Sequence, residues 1–348
     1  MEAILAGKQL NFWIRASRSA ALGQSLTPYL LGAIMATGTL FYNHASATEV
    51  LLGLGLSVLG FFGVALAHSG LNLFDDYFDM KKGAVQRREE MADGGMRARM
   101  GKCVYLKGGD VTLADTRRVA ILFIALALIL GLIVLVLRGW PILVFAGIAL
   151  VLGLLYAGPP LRLSYHGLGE LMVGLIFGPL VVNAAYFVAC GRIDALSIYV
   201  SIPIGLLVAN ILNTHAIMDF GPDKAADRVT LSVALGSQKA GYVASVVLVA
   251  ASYLVVIVGV ALRWLPIAAL VVVVTLPLTI FYLRHLWDYV TGKGDEFVYR
   301  PWMGPFNNQE RIKATGIMWF MSRWLLSRNL VMMVSVLLAV ASLTPWYL

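Results

Sequence analysis

Nine long apolar segments dominate this chain and limit what it can fold into. Each holds roughly 20 mainly apolar residues, the length that an α-helix needs to cross the hydrocarbon core of a bilayer. Because a bilayer offers no water to backbone groups, such segments are expected to be helical. The sequence therefore predicts an all-α, polytopic membrane protein with nine transmembrane helices. The expected spans are residues 21–41, 50–72, 119–137, 140–157, 169–190, 196–217, 240–262, 265–284 and 329–347.

The composition supports the same class of protein. Hydrophobic residues make up 59% of the chain and charged residues 13%, and the mean hydropathy is +0.81. A soluble domain would carry about one quarter charged residues. The segment Met1–Arg18 mixes basic with large apolar residues. It is expected either to lie on the membrane surface as an amphipathic segment or to begin the first span.

The basic residues are distributed unevenly between the two sides of the predicted membrane. If the N-terminus is inside, 24 of the 27 lysines and arginines fall in inside loops. Cytoplasmic loops are enriched in these residues, so the N-terminus is expected in the cytoplasm of a bacterium, with the chain in the inner membrane. Residues 80–117 and 285–328 then form two large cytoplasmic loops, the first a mobile lid or a solvated loop. The same asymmetry explains the net charge of +8, so no nucleic-acid partner is expected.

Two acidic clusters stand at matching positions, each at the cytoplasmic end of a predicted span. The first is Asp75, Asp76 and Asp79, and the second is Asp219, Asp223 and Asp227. Carboxylates crowded at a membrane boundary repel one another and are costly to desolvate. Mg²⁺ would relieve the repulsion, because it favours carboxylates together with substrate phosphates. Two such clusters suggest an enzyme that holds a diphosphate at the membrane.

The spacing within each cluster favours a common helix face. If the second helix continues through residues 72–80, Asn72 shares a face with the three acids of the first cluster, since spacings of three and four return to the same side. Asp219, Asp223 and Asp227 repeat every four residues, but Pro222 is expected to end or kink the sixth helix and to open a new short turn. The alternative is that these acids are solvated charges that balance nearby lysines and arginines.

Four stretches between about residues 12 and 240 carry motifs with specific spacing. They are Trp13 to Arg18 with Thr27-Pro28; Asn72 to Asp79 with Lys81-Lys82-Gly83; Tyr156 to Leu163 with Gly167 to Glu170; and Asn213, Asp219, Asp223, Asp227 and Arg228 with Thr230-Leu231 and Leu235-Gly236. Together they resemble the UbiA superfamily of intramembrane prenyltransferases. The resemblance is greatest to the branch that prenylates 1,4-dihydroxy-2-naphthoate in menaquinone biosynthesis.

The resemblance implies a single domain over residues 1–348, with nine spans around a central cavity. It implies Mg²⁺-dependent transfer of a polyprenyl group from a polyprenyl diphosphate, held by two ions between the motifs, to an aromatic acceptor. The expected acceptor is 1,4-dihydroxy-2-naphthoate, alkylated with loss of CO₂, in membrane quinone biosynthesis. The polyprenyl tail would lie along the apolar interior.

The resemblance also assigns roles to individual residues. Asp75, Asp76 and Asp79 would bind one Mg²⁺, with Asn72 as support. Asp219 and Asp223 would bind the other, and Asp227 is either a further ligand or a partner of Arg228. The substrate site would also contain Asn213, and the expected phosphate clamps are Lys224, Arg228 and Arg162. Tyr156 either positions the acceptor or is an ordinary interfacial tyrosine.

The chain departs from the family pattern in its first motif. The family has Asn followed by Asp where this chain has Asp75-Asp76, and Gly83 and Val85 occupy the positions expected for the last acid of the motif. Glu89, Glu90 or Asp93 could take its place. The sequence does not decide how this altered motif arranges its metal.

Other functions are compatible with parts of the sequence. The acceptor could instead be 4-hydroxybenzoate, homogentisate, a tetrapyrrole or a lipid glycerol. A non-catalytic transporter with a cation site is the alternative from another class, although a transporter would place its acids near the bilayer midplane. His166, His215 and His285 are candidate bases on the acceptor side. Isolated histidines are more often structural, and His68 and His44 are weaker candidates still.

Overall fold

The computed structural model describes residues 10–98, 103–109, 111–157, 161–306 and 309–344. These residues form helices and no β-strand, which confirms the all-α class within the described ranges. The first nine residues of the expected amphipathic segment lie outside them. From Leu10 onward that segment is helical, and Trp13 is buried. In chain order the helices are α1 Leu10–Ala16, α2 Gly23–Tyr42, α3 Ala47–Lys81, α4 Ala84–Asp93, α5 Val104–Lys107, α6 Leu113–Arg138, α7 Pro141–Ala157, α8 Gly169–Cys190, α9 Ala195–Met218, α10 Phe220–Ala225, α11 Leu231–Ala234, α12 Gln238–Ala261, α13 Ile267–Val290, α14 Gln309–Ala314 and α15 Met318–Ala341.

Seven of the described helices are long and apolar enough to cross a bilayer, namely α3, α6, α8, α9, α12, α13 and α15. The chain is therefore an integral membrane protein. Helices also occupy the other two expected spans, residues 21–41 and 140–157. They are α2, whose 20 residues include several polar ones, and α7, whose 17 residues are short for a span.

Polar residues extend several helices beyond the apolar segments that identify them. Helix α3 begins at a capping box, in which Ser46 and Glu49 satisfy each other's backbone amides, and it continues to Lys81. Helix α6 begins in the same way with Thr112 and Asp115. Hydropathy alone misses such turns, because the first residues of a helix are chosen for capping rather than for burial.

The start of the last span differs from the sequence prediction. Hydropathy predicts the last span at residues 329–347, but its helix begins at Met318 and ends at Ala341. Polar side chains in its first turns are buried and bonded within the protein. Arg323 is fully buried, and its Nε donates to the carbonyl oxygen of His285 at 2.9 Å. Those side chains lowered the apparent hydropathy without ending the helix.

Helix α9 is central to the packing that positions the acidic clusters. It packs against α8, α12 and α15, and its buried side chains belong to the main hydrophobic core. Helices α8 and α9 approach closely where α8 contains a π-helical turn, Ile176–Leu180. A Cβ added at Gly178 would lie 2.4 Å from the Cα of Gly205. Small residues are thus required at this crossing, as in many membrane helix pairs.

Candidate active site

The first acidic cluster lies on the last turns of α3, which continues as the spacing predicted. Arg18, just after α1, donates from one guanidinium nitrogen to Asp75 Oδ2 at 2.7 Å and to Asp76 Oδ1. The two carboxylates differ in environment, because the side chain of Asp75 is 52% exposed and that of Asp76 only 3%. Asp79 is half-buried one turn further on. The N-terminal segment thus neutralises the most buried acid of this cluster.

Further contacts hold the first cluster in place. Tyr105 of α5 donates its hydroxyl to Asp76 Oδ2 at 3.2 Å. The side-chain amide of Asn72 donates to the carbonyl oxygen of Ser17 at 2.9 Å. Asn72 therefore fastens α3 to the segment that carries Arg18. The segment that follows the first cluster also lies over it, and its mobility as a lid stays a prediction.

The second cluster follows the end of α9. The helix ends at Met218, and α10 begins at Phe220 with Pro222 in its first turn, as the proline predicted. Asp219 lies at the junction and is almost fully buried. Its Oδ2 atom is 3.0 Å from His215 Nε2 and accepts a hydrogen bond from Arg88 at 2.9 Å. Asp223 Oδ1 lies 3.9 Å from both Arg88 and Arg228.

The charges around the second cluster shift the pKa values of Asp219 and Asp223 in opposite directions. Burial raises the pKa of Asp219, but the hydrogen bond and charge of His215 and the charge of Arg88 outweigh it, so that the pKa lies well below its usual range. Burial also raises the pKa of Asp223, to about 6, because Asp219 and Glu170 add to the effect while Arg228 and Arg88 oppose it. The carboxylate of Asp219 therefore stays charged, whereas that of Asp223 takes up a proton more readily.

Arg88 brings the segment that follows the first cluster into contact with the second. It belongs to α4, which follows the first cluster directly in sequence, yet its guanidinium contacts Asp219 and Asp223 of the second. The segment after α3 thus reaches across to the end of α9. The two clusters that the sequence placed at equivalent boundaries therefore belong to one polar region.

Several buried atoms in this region have no hydrogen-bond partner among the described residues. They are Oδ1 of Asp219, Oε2 of Glu170, and Nε of Arg18 and of Arg228. Buried polar atoms are nearly always bonded, and a bound cation and a bound anion would satisfy these carboxyl oxygens and guanidinium nitrogens. Carboxylate oxygens are the donors that Mg²⁺ prefers, and the residues present fit such an ion.

The acids do not form a ready-made metal centre in the described part of the chain. No three His, Cys, Asp or Glu side chains converge there as metal ligands. Arg18 and Arg88 occupy the positions beside the carboxylates instead. Val85, at a position expected for the missing acid, is buried. Glu89, one of the residues suggested to replace that acid, pairs with Lys107. The predicted ligand set stays a prediction.

Asn213 lies away from the charged groups and joins three helices. It is fully buried, and its amide donates to the carbonyl oxygen of Gly241 and to Ser245 Oγ, both at 2.8 Å. Its Oδ1 accepts from Ser232 Oγ at 3.2 Å. These contacts use both sides of the amide to join α9 to α11 and α12.

The remaining predicted residues surround the second cluster. Lys224 and Asp227 are exposed, and Asp227 has a left-handed φ of 51°. Arg162 is also exposed and left-handed, and it is the second described residue after 158–160, which lie outside the described ranges. Tyr156 is close enough to Arg228, Glu170 and Asp75 to feel their charges. Tyr156, which was predicted to position the acceptor, therefore lies near groups of both clusters.

Sequence reasoning missed several residues of this site. Arg18 ends the first motif of the sequence, but no role in the site was predicted for it. No role was predicted for Arg88, Tyr105 or Glu170 either. Glu170 Oε1 accepts from the backbone amide of Leu231 at 3.0 Å, which ties α8 to the chain after α10. Each of these residues lies at least 29 positions from its partner, so local spacing gave no signal for the pairing.

The described helices and the site define a polytopic helical membrane protein with two acidic clusters at helix ends. The sequence profile described as the UbiA prenyltransferase family matches residues 25–304. This match covers most of the chain. The chain belongs to the UbiA prenyltransferase family and is a prenyltransferase.

Named relatives and a solved structure agree with the family. The chain is 31% identical over 257 residues to the 1,4-dihydroxy-2-naphthoate octaprenyltransferase of Bacillus subtilis, covering 72% of this chain and 75% of the relative. It is 27% identical over 284 residues to the 2-carboxy-1,4-naphthoquinone phytyltransferase of Synechocystis, covering 80% and 83%. The fold is similar to that of a UbiA homologue from Archaeoglobus fulgidus bound to GPP and Mg²⁺, with a TM-score of 0.50, 18% identity, and coverage of 92% and 99%.

Proposed function

We propose that this enzyme transfers a polyprenyl group from a polyprenyl diphosphate to 1,4-dihydroxy-2-naphthoate in membrane quinone biosynthesis. The observation that carries the proposal is the contact of Arg88 with Asp219, because it brings the segment that follows the first acidic cluster onto the second, where cationic and anionic groups meet. The acceptor is supported by the names of the two relatives, which both act on naphthalene rings. Mg²⁺ is supported by the A. fulgidus structure, which holds it with GPP.

The arrangement of the chain in the membrane is part of the proposal. Helices α2 and α7 would complete a bundle of nine spans around a central cavity. The excess of lysine and arginine on one side supports a cytoplasmic N-terminus and cytoplasmic motifs in a bacterial inner membrane. The polyprenyl tail would lie along the apolar interior, between the acidic clusters and the far ends of the helices.

The carboxylates would hold two Mg²⁺ ions. Asp75, Asp76 and Asp79, with Asn72, would hold one, and Asp219 and Asp223 the other. The unpaired Oδ1 of Asp219 supports this assignment, since a buried carboxyl oxygen needs a partner. When bound, the ions would supply positive charge that stabilises the leaving diphosphate.

The arginines of the chain would hold the diphosphate itself. Arg18, Arg88 and Arg228 surround the two clusters, and the Nε atoms of Arg18 and Arg228 are unpaired. Guanidinium groups bind phosphate oxygens with two parallel hydrogen bonds. As the carbon–oxygen bond breaks, negative charge grows on the diphosphate, and fixed cations stabilise that charge without reorganising. Lys224 and Arg162 are exposed nearby and would contact the outer phosphate.

The test is diphosphate release by purified protein from a polyprenyl diphosphate, measured with and without Mg²⁺ and with and without 1,4-dihydroxy-2-naphthoate. We expect release to require both, and chelation with EDTA to abolish it until Mg²⁺ is restored. Asp219→Asn keeps the shape of the side chain, and we expect it to lower the rate by about 10³-fold or more. Glu310→Gln, at an exposed residue outside both clusters, is the matched control.

The outcomes separate the alternatives. Release with 4-hydroxybenzoate or a lipid glycerol, but not with the naphthoate, would keep the prenyltransferase and change the acceptor. Release that is unaffected by Asp219→Asn would contradict the assigned site.

A further inference from the structure

His68 is a half-buried titratable side chain of α3 to which the proposed reaction assigns no role. It lies four residues before Asn72, so both side chains project from the same face of the helix. One turn of helix separates them, about 6 Å along the axis. His68 therefore lies directly on the membrane side of the first acidic cluster.

Three helices meet around the imidazole ring. Ser25 of α2 is fully buried, and its Oγ lies 2.8 Å from His68 Nδ1. Phe177, in the π-helical turn of α8, has its ring centroid 5.5 Å from that of His68, with the rings inclined by 34°. The imidazole is thus held between α2 and α8, by a hydrogen bond on one side and an aromatic ring on another.

The hydrogen bonds assign the tautomer of His68. The hydroxyl of Ser25 donates its hydrogen to the carbonyl oxygen of Leu22 at 3.0 Å. In the arrangement that satisfies both contacts of this hydroxyl, Nδ1 of His68 carries its own hydrogen and donates it to Ser25 Oγ. The other ring nitrogen, Nε2, then has a lone pair, and no described residue donates a hydrogen bond to it. The structure thus presents an oriented, neutral base.

A positive charge lies close to this ring. Arg18 donates to the carbonyl oxygen of Asn72 at 3.3 Å, one helical turn from His68. A second positive charge near that guanidinium would be costly. Neutral imidazole is the form that can accept a proton.

The other histidines are placed differently. His215 Nε2 and His285 Nε2 each face a partner, Asp219 and Ser322. His166 is exposed, and His44 lies in the turn between α2 and α3, at the far end of α3 from the acidic cluster. His68 is the histidine of this chain whose free nitrogen lies inside the bundle beside the first cluster.

We propose that His68 is the base that accepts the hydroxyl proton of the aromatic acceptor. This inference rests on the proposed function. The diphosphate is expected between the acidic clusters and the prenyl tail on their membrane side, so the reacting allylic carbon lies at the level of His68. An acceptor ring that reaches that carbon brings the hydroxyl beside its reacting carbon close to Nε2.

The proton transfer is balanced over the reaction. Nε2 takes the hydroxyl proton, and the O–H electron pair moves into the ring. The ring carbon bonds to the allylic carbon, and the pair of the breaking C–O bond leaves with the diphosphate. With a carboxylated acceptor the product is then a β-keto acid. As CO₂ leaves, its bonding pair restores the aromatic ring, and the imidazolium returns its proton to the ring oxygen. Ser25 is a positioning residue, since it acts through His68.

The test compares His68→Asn with the wild-type enzyme, using acceptors whose hydroxyl groups differ in acidity. We expect kcat to fall about 10²- to 10⁴-fold, with the KM for the prenyl diphosphate unchanged. We also expect the loss to shrink for acceptors that are already ionised at the assay pH, because they need no base. His44→Asn is the matched control: the same substitution at the far end of α3, with no expected loss.

A fall in kcat smaller than about threefold, or a fall that is the same for every acceptor, would overturn the proposal. If His68→Asn no longer binds prenyl diphosphate, Ser25→Ala decides the question. It keeps the imidazole and removes the group that fixes its tautomer, so a loss that again depends on acceptor acidity is expected, and a loss independent of acidity overturns the proposal. Wild-type protein that transfers to no aromatic acceptor would contradict the proposed function itself, which is a different result.

Discussion

The two acidic clusters are built in different ways, although they occupy equivalent places in the sequence. The first lies on α3, in which only 17% of the most apolar 18-residue stretch is buried inside the protein. The second follows α9, in which 61% of the corresponding stretch is buried. Asp75 is half exposed, whereas Asp219 is nearly inaccessible. The second cluster is therefore held by its packed surroundings, and the first is assembled by the N-terminal segment and by α5.

The difference in burial indicates that the two clusters contribute unequally to diphosphate binding. A buried carboxylate with fixed cationic neighbours is already arranged for charge stabilisation. A half-exposed carboxylate is screened by water and contributes less to binding. We therefore expect the second cluster to dominate the energetics of diphosphate binding and the first to tolerate more change.

The largest difference in activity between the clusters is expected when the arginine that contacts each cluster is replaced, Arg88 at the second and Arg18 at the first. Arg88→Gln removes the cation that contacts Asp219 and Asp223 of the second cluster, and we expect kcat/KM for the prenyl diphosphate to fall about 10²-fold. Arg18→Gln should cost less, about tenfold, because one of its two partners is half exposed. Steady-state kinetics at saturating acceptor measure both.

The neighbouring Arg87→Gln is the matched control for this pair. Arg87 is exposed and donates to the carbonyl oxygen of Lys82 within its own segment, so little change is expected. A greater loss for Arg18→Gln than for Arg88→Gln would reverse the proposed order of the two clusters.

Stability should distinguish the two asparagines that accompany the clusters. Asn213→Ala leaves the buried polar groups of Gly241, Ser245 and Ser232 without their partner, at a cost of about 2–4 kcal/mol. Asn72→Ala loses one half-buried bond to Ser17, at a cost of about 1 kcal/mol. Thermal unfolding in detergent should therefore show the lower Tm for Asn213→Ala. Equal midpoints would mean that the buried network of α9 contributes nothing extra.

The smallest effect is expected at Asp75. Asp75→Asn keeps an oxygen donor at a half-exposed position and restores the Asn–Asp order usual in the family, so activity should change by less than about threefold. Asp76→Asn, at the buried neighbour that Arg18 and Tyr105 contact, should lower activity about 10²-fold. Parallel initial-rate measurements decide, and equal losses would show that burial does not separate the two acids.

Much of the fold follows from local patterns in the sequence. The continuation of α3 through Asp79 follows from the three- and four-residue spacing, and the break after Met218 follows from Pro222. The start of α15 could not be found in this way. Its early polar residues are buried by partners such as His285, and hydropathy assigns such residues to water.

The site was only half visible from the sequence. The acids and Arg228 stand in a readable motif, whereas Arg88, Glu170 and Tyr105 belong to no pattern that points to their partners. Asn213 was expected in the substrate site, and its role there stays a prediction, since its amide is occupied by Ser232, Gly241 and Ser245. His68 looked like an isolated histidine until Ser25 and Phe177 were placed beside it.

By itself, the sequence determined that this is a helical membrane protein with two acidic motifs at helix ends, because span length and residue spacing are local properties of the chain. Tertiary structure decided which cations meet those acids, how deeply each carboxylate is buried, and which way the ring of His68 is hydrogen-bonded. Those features depend on contacts between residues far apart in the chain, and only the packing of the helices brings them together.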